Sequence, residues 1–269
     1  MDGFEHLLLT RFNVPHYRYR HDKRATPVRT EAWLAHRWRL FERFCLPSIR
    51  GQEAVDFTWL IFFSDETPAP YRERIAAHAA AGYFRPLYVA DFEAALTEAR
   101  RQVQPTTRWL VTTRLDNDDA LHRRALATIQ TAFRGQALEF LNLLNGCILR
   151  GHRVFRATMP ENPFCSLIER RTAEGFRTTW FERHDRISAA APVRNVETAV
   201  PCWLQVVHER NLVNNWGDGF WDGCQPGRNL LKRFLMRTRL ITPRDRWIHR
   251  CRIPRDELRA YFSLPEGAL

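Results

Sequence analysis

The first half of the chain alternates between short, dense apolar runs and apolar residues at helical spacing. The run His-Leu-Leu-Leu-Thr at 6–10 is strand-length. After a basic stretch, Leu34, Trp38, Phe41 and Cys45 recur at the interval of an amphipathic helix. This spacing predicts a helix over 30–47, with Thr30 as its cap and Pro47 as its stop. Residues 57–63 are aromatic and β-branched and predict a second strand, closed by Ser-Asp-Glu-Thr-Pro. A helix over 71–81 with Gly82 just past its end, a strand over 84–89, a helix over 91–103 capped by Asp91, a strand over 108–113 and a helix over 120–133 complete the alternation. Such alternation predicts an α/β fold: a mostly parallel sheet covered by helices, with ligands beyond the carboxyl ends of its strands.

The pattern changes after residue 135. Asn145-Gly146 between apolar runs predicts a hairpin over 139–150, and 176–181 and 202–207 are further strand candidates. From 214 the chain is rich in Trp, Gly and Arg without a clean period. We therefore expect one principal domain over 1–215 and an irregular, basic extension over 216–269 packed on it.

No apolar run approaches the roughly 20 residues of a membrane-spanning helix, and the start lacks a basic segment followed by an apolar core. The expected compartment is the cytoplasm. Six cysteines stand singly, without zinc-ribbon or redox spacing. The net charge of +11 raises a nucleic-acid reading, but only Lys23 and Lys232 are lysines, and arginine used this exclusively reflects coding bias in a GC-rich genome. Eleven basic residues over 227–259 face only Asp245, Asp256 and Glu257. They form either a solvated surface or a patch that meets phosphate-rich ligands or an anionic membrane.

The sharpest chemical signal is Thr112-Thr-Arg-Leu-Asp-Asn-Asp-Asp119, where the fourth predicted strand ends. Three carboxylates within four positions repel one another unless a cation or a helix N-terminus offsets them. Capping of the following helix by Asp118 or Asp119 accounts for one or two of them. A hard divalent cation held by Asp116 and Asp118 accounts for the alternate pair.

In these motifs the chain resembles GT-A-fold glycosyltransferases, and more closely the rhamnosyltransferase family of bacterial cell-surface polysaccharide loci. The pieces are Leu8-Leu-Thr-Arg-Phe-Asn13, the helix carrying Arg37, Phe41, Leu46-Pro-Ser-Ile49 and Gln52, the strand 59–68, Thr113-Arg-Leu-Asp-Asn-Asp-Asp-Ala-Leu121, Asn162-Pro-Phe164 and Trp203-Leu-Gln-Val-Val-His208. The resemblance implies a metal-dependent transferase that takes a sugar from a nucleotide-diphosphate donor to a saccharide or lipid-linked acceptor. It implies Mn²⁺ or Mg²⁺ on Asp118, with Asp116 on the ribose or a metal-bound water and His208 completing the metal shell. It also implies a nucleoside site among Thr10, Arg11, Asn13 and Asp65, with Arg114 beside the acidic cluster.

Glu182 and Asp185 are the candidates for the base that deprotonates the acceptor, with Asp185 preferred and Glu169 or Asp218 as alternatives. Trp216 and Trp221 could stack on an acceptor sugar or simply pack the extension onto the core. The basic segment could dock the enzyme on the inner membrane face. The competing reading is a non-catalytic basic module that binds nucleic acid or an anionic membrane, although carboxylates at the acidic face tell against nucleic acid there. A phosphotransferase or nuclease ranks last, since no Gly-x-x-x-x-Gly-Lys loop is present.

Overall fold

The chain enters on β1 (Glu5–Arg11), which pairs in parallel with both β2 (Thr58–Ser64) and β4 (Trp109–Arg114); β3 (Arg85–Val89) lies parallel beyond β2. On the other side, β9 (Ser166–Arg170) runs antiparallel between β4 and β6 (Leu138–Leu143), and β10 (Val193–Val196) closes that edge parallel to β6. The order β3, β2, β1, β4, β9, β6, β10 makes a mostly parallel sheet with β9 as its reversed strand. These features come from a computed structural model that describes residues 3–16, 21, 27–53, 55–208, 210 and 247–269.

Strand alternation sets the two faces of this sheet. Leu8, Trp59, Ile61 and Phe63 pack toward Trp38 of α1 (Glu31–Leu40) and toward Tyr71 and Ile75 of α3 (Ala69–Ala80). Leu7, Leu9, Leu60 and Phe62 face Ala95 and Ala99 of α4 (Phe92–Arg101), together with Trp180. All seven of the strand side chains Leu7, Leu8, Leu9, Leu60, Ile61, Phe62 and Phe63 are fully buried. Each contributes about 1.5–3 kcal/mol relative to exposure, which fixes the registers. The helix caps form as the sequence predicts: Thr30 accepts from Trp33 N, Asp91 accepts from Ala94 N at 2.8 Å, and Gly82 takes φ +76°.

A second sheet has the order β12 (Trp247–Arg250), β8 (Arg153–Thr158), β7 (Asn145–Arg150), β11 (Trp203–Val207), β5 (Ala120–Leu121). Leu258 of α7 (Arg255–Tyr261), followed by Phe262, Leu264 and Ala268, covers Cys147, Leu149, Leu204 and Val206 of that sheet.

The structure departs from the expected elements at four places. First, the helix begun at Glu31 does not stop at Pro47. A π-helical turn, Phe41–Cys45, leads into α2 (Leu46–Arg50), and Pro47 falls in the first turn of that segment. Second, Asn145-Gly146 is no hairpin turn, because β6 and β7 belong to different sheets. Gly146 instead makes room for Trp203, whose ring would lie 2.0 Å from an added Cβ. Third, no helix begins at Ala120. Ala120–Leu121 pair with β11, and α5 (Ala125–Thr131) starts later. Fourth, 176–181 is not a strand: Glu169 accepts the Arg177 and Thr178 amides, and Thr112 accepts that of Thr179, so side chains take the place of a ladder. Among the described residues, α6 (Ile187–Ala190) follows a short 3-10 turn at His184–Arg186. Trp216, Asp218, Trp221 and most of the basic segment over 227–259 lie outside the described residues.

Candidate functional site

Because β1 and β4 are parallel neighbours, their carboxyl ends leave the sheet together, and Leu115 N donates to Leu9 O at 3.1 Å to hold the two exits side by side. A cavity of about 450 Å³ opens at this edge. Its lining includes Arg11 and Asn13 after β1, Trp33 and Arg37 of α1, Arg114, Asp116, Asp118 and Asp119 after β4, and Trp180, Glu182 and Gln205.

Asp118 is the most heavily engaged side chain. Arg37 grips it in a fork, Nη1 to Oδ2 at 2.6 Å and Nη2 to Oδ1 at 3.1 Å, and also donates to Asn117 Oδ1. His208 lies against it, with Nε2 2.9 Å from Asp118 Oδ2. The backbone N–H of Arg210 donates to His208 Nδ1 at 3.2 Å, and Arg37 Nη1 lies 3.4 Å from His208 Nε2. His36 Nε2 also lies 3.2 Å from His208 Nδ1. Burial pushes the Asp118 carboxyl up, but the Arg37 guanidinium and the His208 contact outweigh it and hold the group below the usual carboxylate range. Burial, then the neighbouring His208, lowers His36 to about 4.

Asp119 behaves differently. Its Oδ1 accepts from Val206 N at 2.7 Å, tying the loop to the second sheet, and burial beside Asp118 and Asp116 pushes its carboxyl well up. Neither Asp118 nor Asp119 caps a helix. Asp116 is half-buried and lines the cavity.

This donor set does not fit a divalent cation. Asp118 Oδ2 already accepts two hydrogen bonds and Oδ1 a third, next to a fixed positive charge. Both ring nitrogens of His208 are already engaged, Nε2 with Asp118 and Nδ1 with Arg210 N. Among the described residues, no group of three or more His, Cys, Asp or Glu side chains is arranged to hold a metal ion. The expected set of Asp116, Asp118 and His208 is thus brought only partly together, as an Asp118–His208 pair capped by Arg37.

The expected nucleoside residues divide. Arg11 lines the cavity, its guanidinium carbon 4.8 Å from the centre of the Phe92 ring. Asn13 lines it too, but its amide is spent on the loop after β2, donating to Thr67 Oγ1 and accepting from Ser64 N, each at 3.0 Å. Thr10 faces the core, where its hydroxyl accepts from Trp59 Nε1 at 3.0 Å. Asp65 is exposed and outside the lining; its backbone oxygen is taken by Arg72. Arg114 lines the cavity, but the contact with the acidic cluster is made by Arg37.

Of the two candidate bases, Asp185 is exposed, lies outside the lining and is forked by Arg183 at 2.7 and 3.0 Å. That hydrogen bond holds its carboxyl down, which makes it a poor proton acceptor. Glu182 lines the cavity, half-buried, with Oε1 accepting from Arg183 N at 2.8 Å. Of the two, only Glu182 lines the cavity. Glu169 is buried at 2% exposure and serves the 177–178 backbone. Sequence reasoning assigned no role to Arg37, Trp33, His36 or Gln205. For Arg37 a signal existed, since it interrupts the apolar stripe of Leu34, Trp38 and Phe41 with a charge.

A family model described as Putative rhamnosyl transferase matches residues 5–216. No curated protein matches the chain. Among solved structures, the inositol-1-phosphate CTP transferase from T. maritima aligns at 12% identity and a TM-score of 0.34, over 76% of this chain and 90% of that one.

Proposed function

This chain belongs to the Putative rhamnosyl transferase family, and from that premise we propose that it transfers a sugar from a nucleotide-diphosphate donor to a saccharide or lipid-linked acceptor. The observation that carries the reading is the cavity at the shared carboxyl ends of β1 and β4, where Arg11 and Arg114 stand beside Asp116. Guanidinium groups suit a diphosphate, and a carboxylate suits ribose hydroxyls.

In the transfer, the acceptor hydroxyl oxygen bonds to the anomeric carbon as the bond from that carbon to the diphosphate breaks. The electron pair leaves on the phosphate oxygen, and the hydroxyl proton passes to Glu182. Asp116 accepts from the ribose, and the Asp118–Arg37–His208 cluster keeps the loop in place. Because Asp118 and His208 are committed to each other and to Arg37, no step runs through a cation. Among the described residues no helix is long and apolar enough to cross a membrane.

A transfer assay with UDP-, GDP- and dTDP-sugars tests the reading. We expect turnover with one nucleotide class, a 10²–10⁴-fold lower kcat for Glu182→Gln, and little change for Asp185→Asn. Absence of turnover and of nucleotide binding for the whole panel refutes it.

A further inference from the structure

Among the described residues, seven buried side-chain nitrogen or oxygen atoms have no hydrogen-bond partner, and they are not evenly spread. Four of them, Trp33 Nε1, Arg37 Nε, Arg114 Nε and Gln205 Oε1, belong to residues lining the cavity described above. Folded proteins satisfy nearly all such atoms, so a cluster at one place calls for a ligand that completes it. Three of the four are N–H donors. They ask for acceptor oxygens.

Arg114 is the most telling. It is 9% exposed, and no described residue makes an ion pair or hydrogen bond with its side chain. A guanidinium buried without an acceptor is costly, and an oxyanion in its plane removes that cost with short, charge-assisted bonds. The surroundings agree in sign. Six arginines and five carboxylates line the cavity.

Resting on the glycosyltransferase reading, we infer that the donor's diphosphate is bound directly by N–H groups, with Arg114 at the centre and Trp33 and Arg37 Nε beside it, and without a divalent cation. The fixed charge of Arg114 then receives the electron pair's charge as the bond from the anomeric carbon to the phosphate oxygen breaks, the task a cation performs elsewhere. Gln205 Oε1, the unpartnered acceptor, takes a hydroxyl of the ribose or the sugar. The carboxylate that the sequence offers as a metal ligand, Asp118, is a structural anchor for Arg37.

The test is calorimetric titration of UDP, GDP and dTDP into the wild-type protein in EDTA, in Mg²⁺ and in Mn²⁺, with Arg114→Gln in parallel. The inference expects one nucleotide to bind in EDTA with a Kd within about threefold of its value in Mn²⁺, and at least a tenfold loss in Arg114→Gln. Binding that appears only with Mg²⁺ or Mn²⁺ overturns direct binding while leaving the glycosyltransferase reading intact. No binding under any condition removes both. The wild-type comparison needs no variant, so a poorly folded Arg114→Gln leaves the decision unchanged.

Discussion

Replacing Arg37 by methionine keeps an unbranched apolar stem but removes the guanidinium and its charge from a site where both partners are enclosed, Arg37 at 8% and Asp118 at 3% exposure. The change breaks the fork at 2.6 and 3.1 Å and the bond to Asn117, leaving His208 as the side chain still hydrogen-bonded to the Asp118 carboxylate in this cluster. Removing one member of a buried pair typically costs about 3–5 kcal/mol, mostly because the survivor is left charged and dry. With urea m-values of about 1–3 kcal/mol/M, the midpoint falls by roughly 1–5 M. Asp118→Asn is also destabilising, and the double variant loses less than the two single losses added, by up to about 3 kcal/mol. Equilibrium urea unfolding followed by tryptophan fluorescence measures all three. The pH dependence carries a second signature. A carboxyl held low in the folded state adds stability that is fully present above its unfolded pKa of about 3.9 and is lost as pH falls through the folded value. Arg37→Met removes that contribution, so acid unfolding starts at a higher pH. A cost below about 1 kcal/mol for Arg37→Met, or strict additivity in the cycle, refutes the pairing as an anchor.

Three further outcomes follow from the packing. His6 is fully buried between Thr113 and Gln130, and burial lowers it to about 3. Its unfolded form takes up a proton near pH 6.5, so stability falls as pH drops from about 6.5 to 3, by on the order of 4 kcal/mol, and His6→Gln flattens this limb in urea titrations at stepped pH. Gly146→Ala drives a Cβ into Trp203, a ring stacked on Phe164 at 5.0 Å and donating to Leu143 O at 2.7 Å. The cost is at least about 1–3 kcal/mol, read as a lower Tm; an unchanged Tm contradicts the close approach. Cys251 is half-buried, its thiol lowered to about 6 by its hydrogen bond with Cys147, whereas Cys45, Cys147, Cys165 and Cys202 are buried with thiols pushed up. Iodoacetamide at pH 7 should therefore mark Cys251 first among these five by peptide mass spectrometry, and equal labelling would show the core to be open.

The parallel half of the fold was legible because its signals are local. Dense runs such as 57–63, the Asp91 cap and Gly82 each declare an element within a few residues. The second sheet was hidden because long-range pairing makes it. Ala120–Leu121 is a strand only through β11, more than eighty positions away, and Asn145-Gly146 carries a turn signal that the approach of Trp203 overrides. In the site, the acidic loop could be read from residue type and position, whereas His208 was singled out only by the family resemblance. The metal shell could not be tested that way, because what occupies Asp118 is an arginine 81 positions earlier. Gln205 sits amid apolar strand residues, and nothing local distinguishes it from an ordinary alternating polar position.

The π turn at Phe41–Cys45 bears on which insertions and deletions this chain can accept. Leu46 N reaches back to Phe41 O, one residue further than in an α-helix. The wider turn absorbs one residue more than an α-helix would hold, so a one-residue deletion within it restores α register and leaves the preceding helix facing the same way. Trp33 and Arg37 would still face the cavity. The same deletion between Arg37 and Phe41 would instead turn both of them by about 100° about the helix axis, so this chain should accept the loss of a residue in the π turn far better than one in α1.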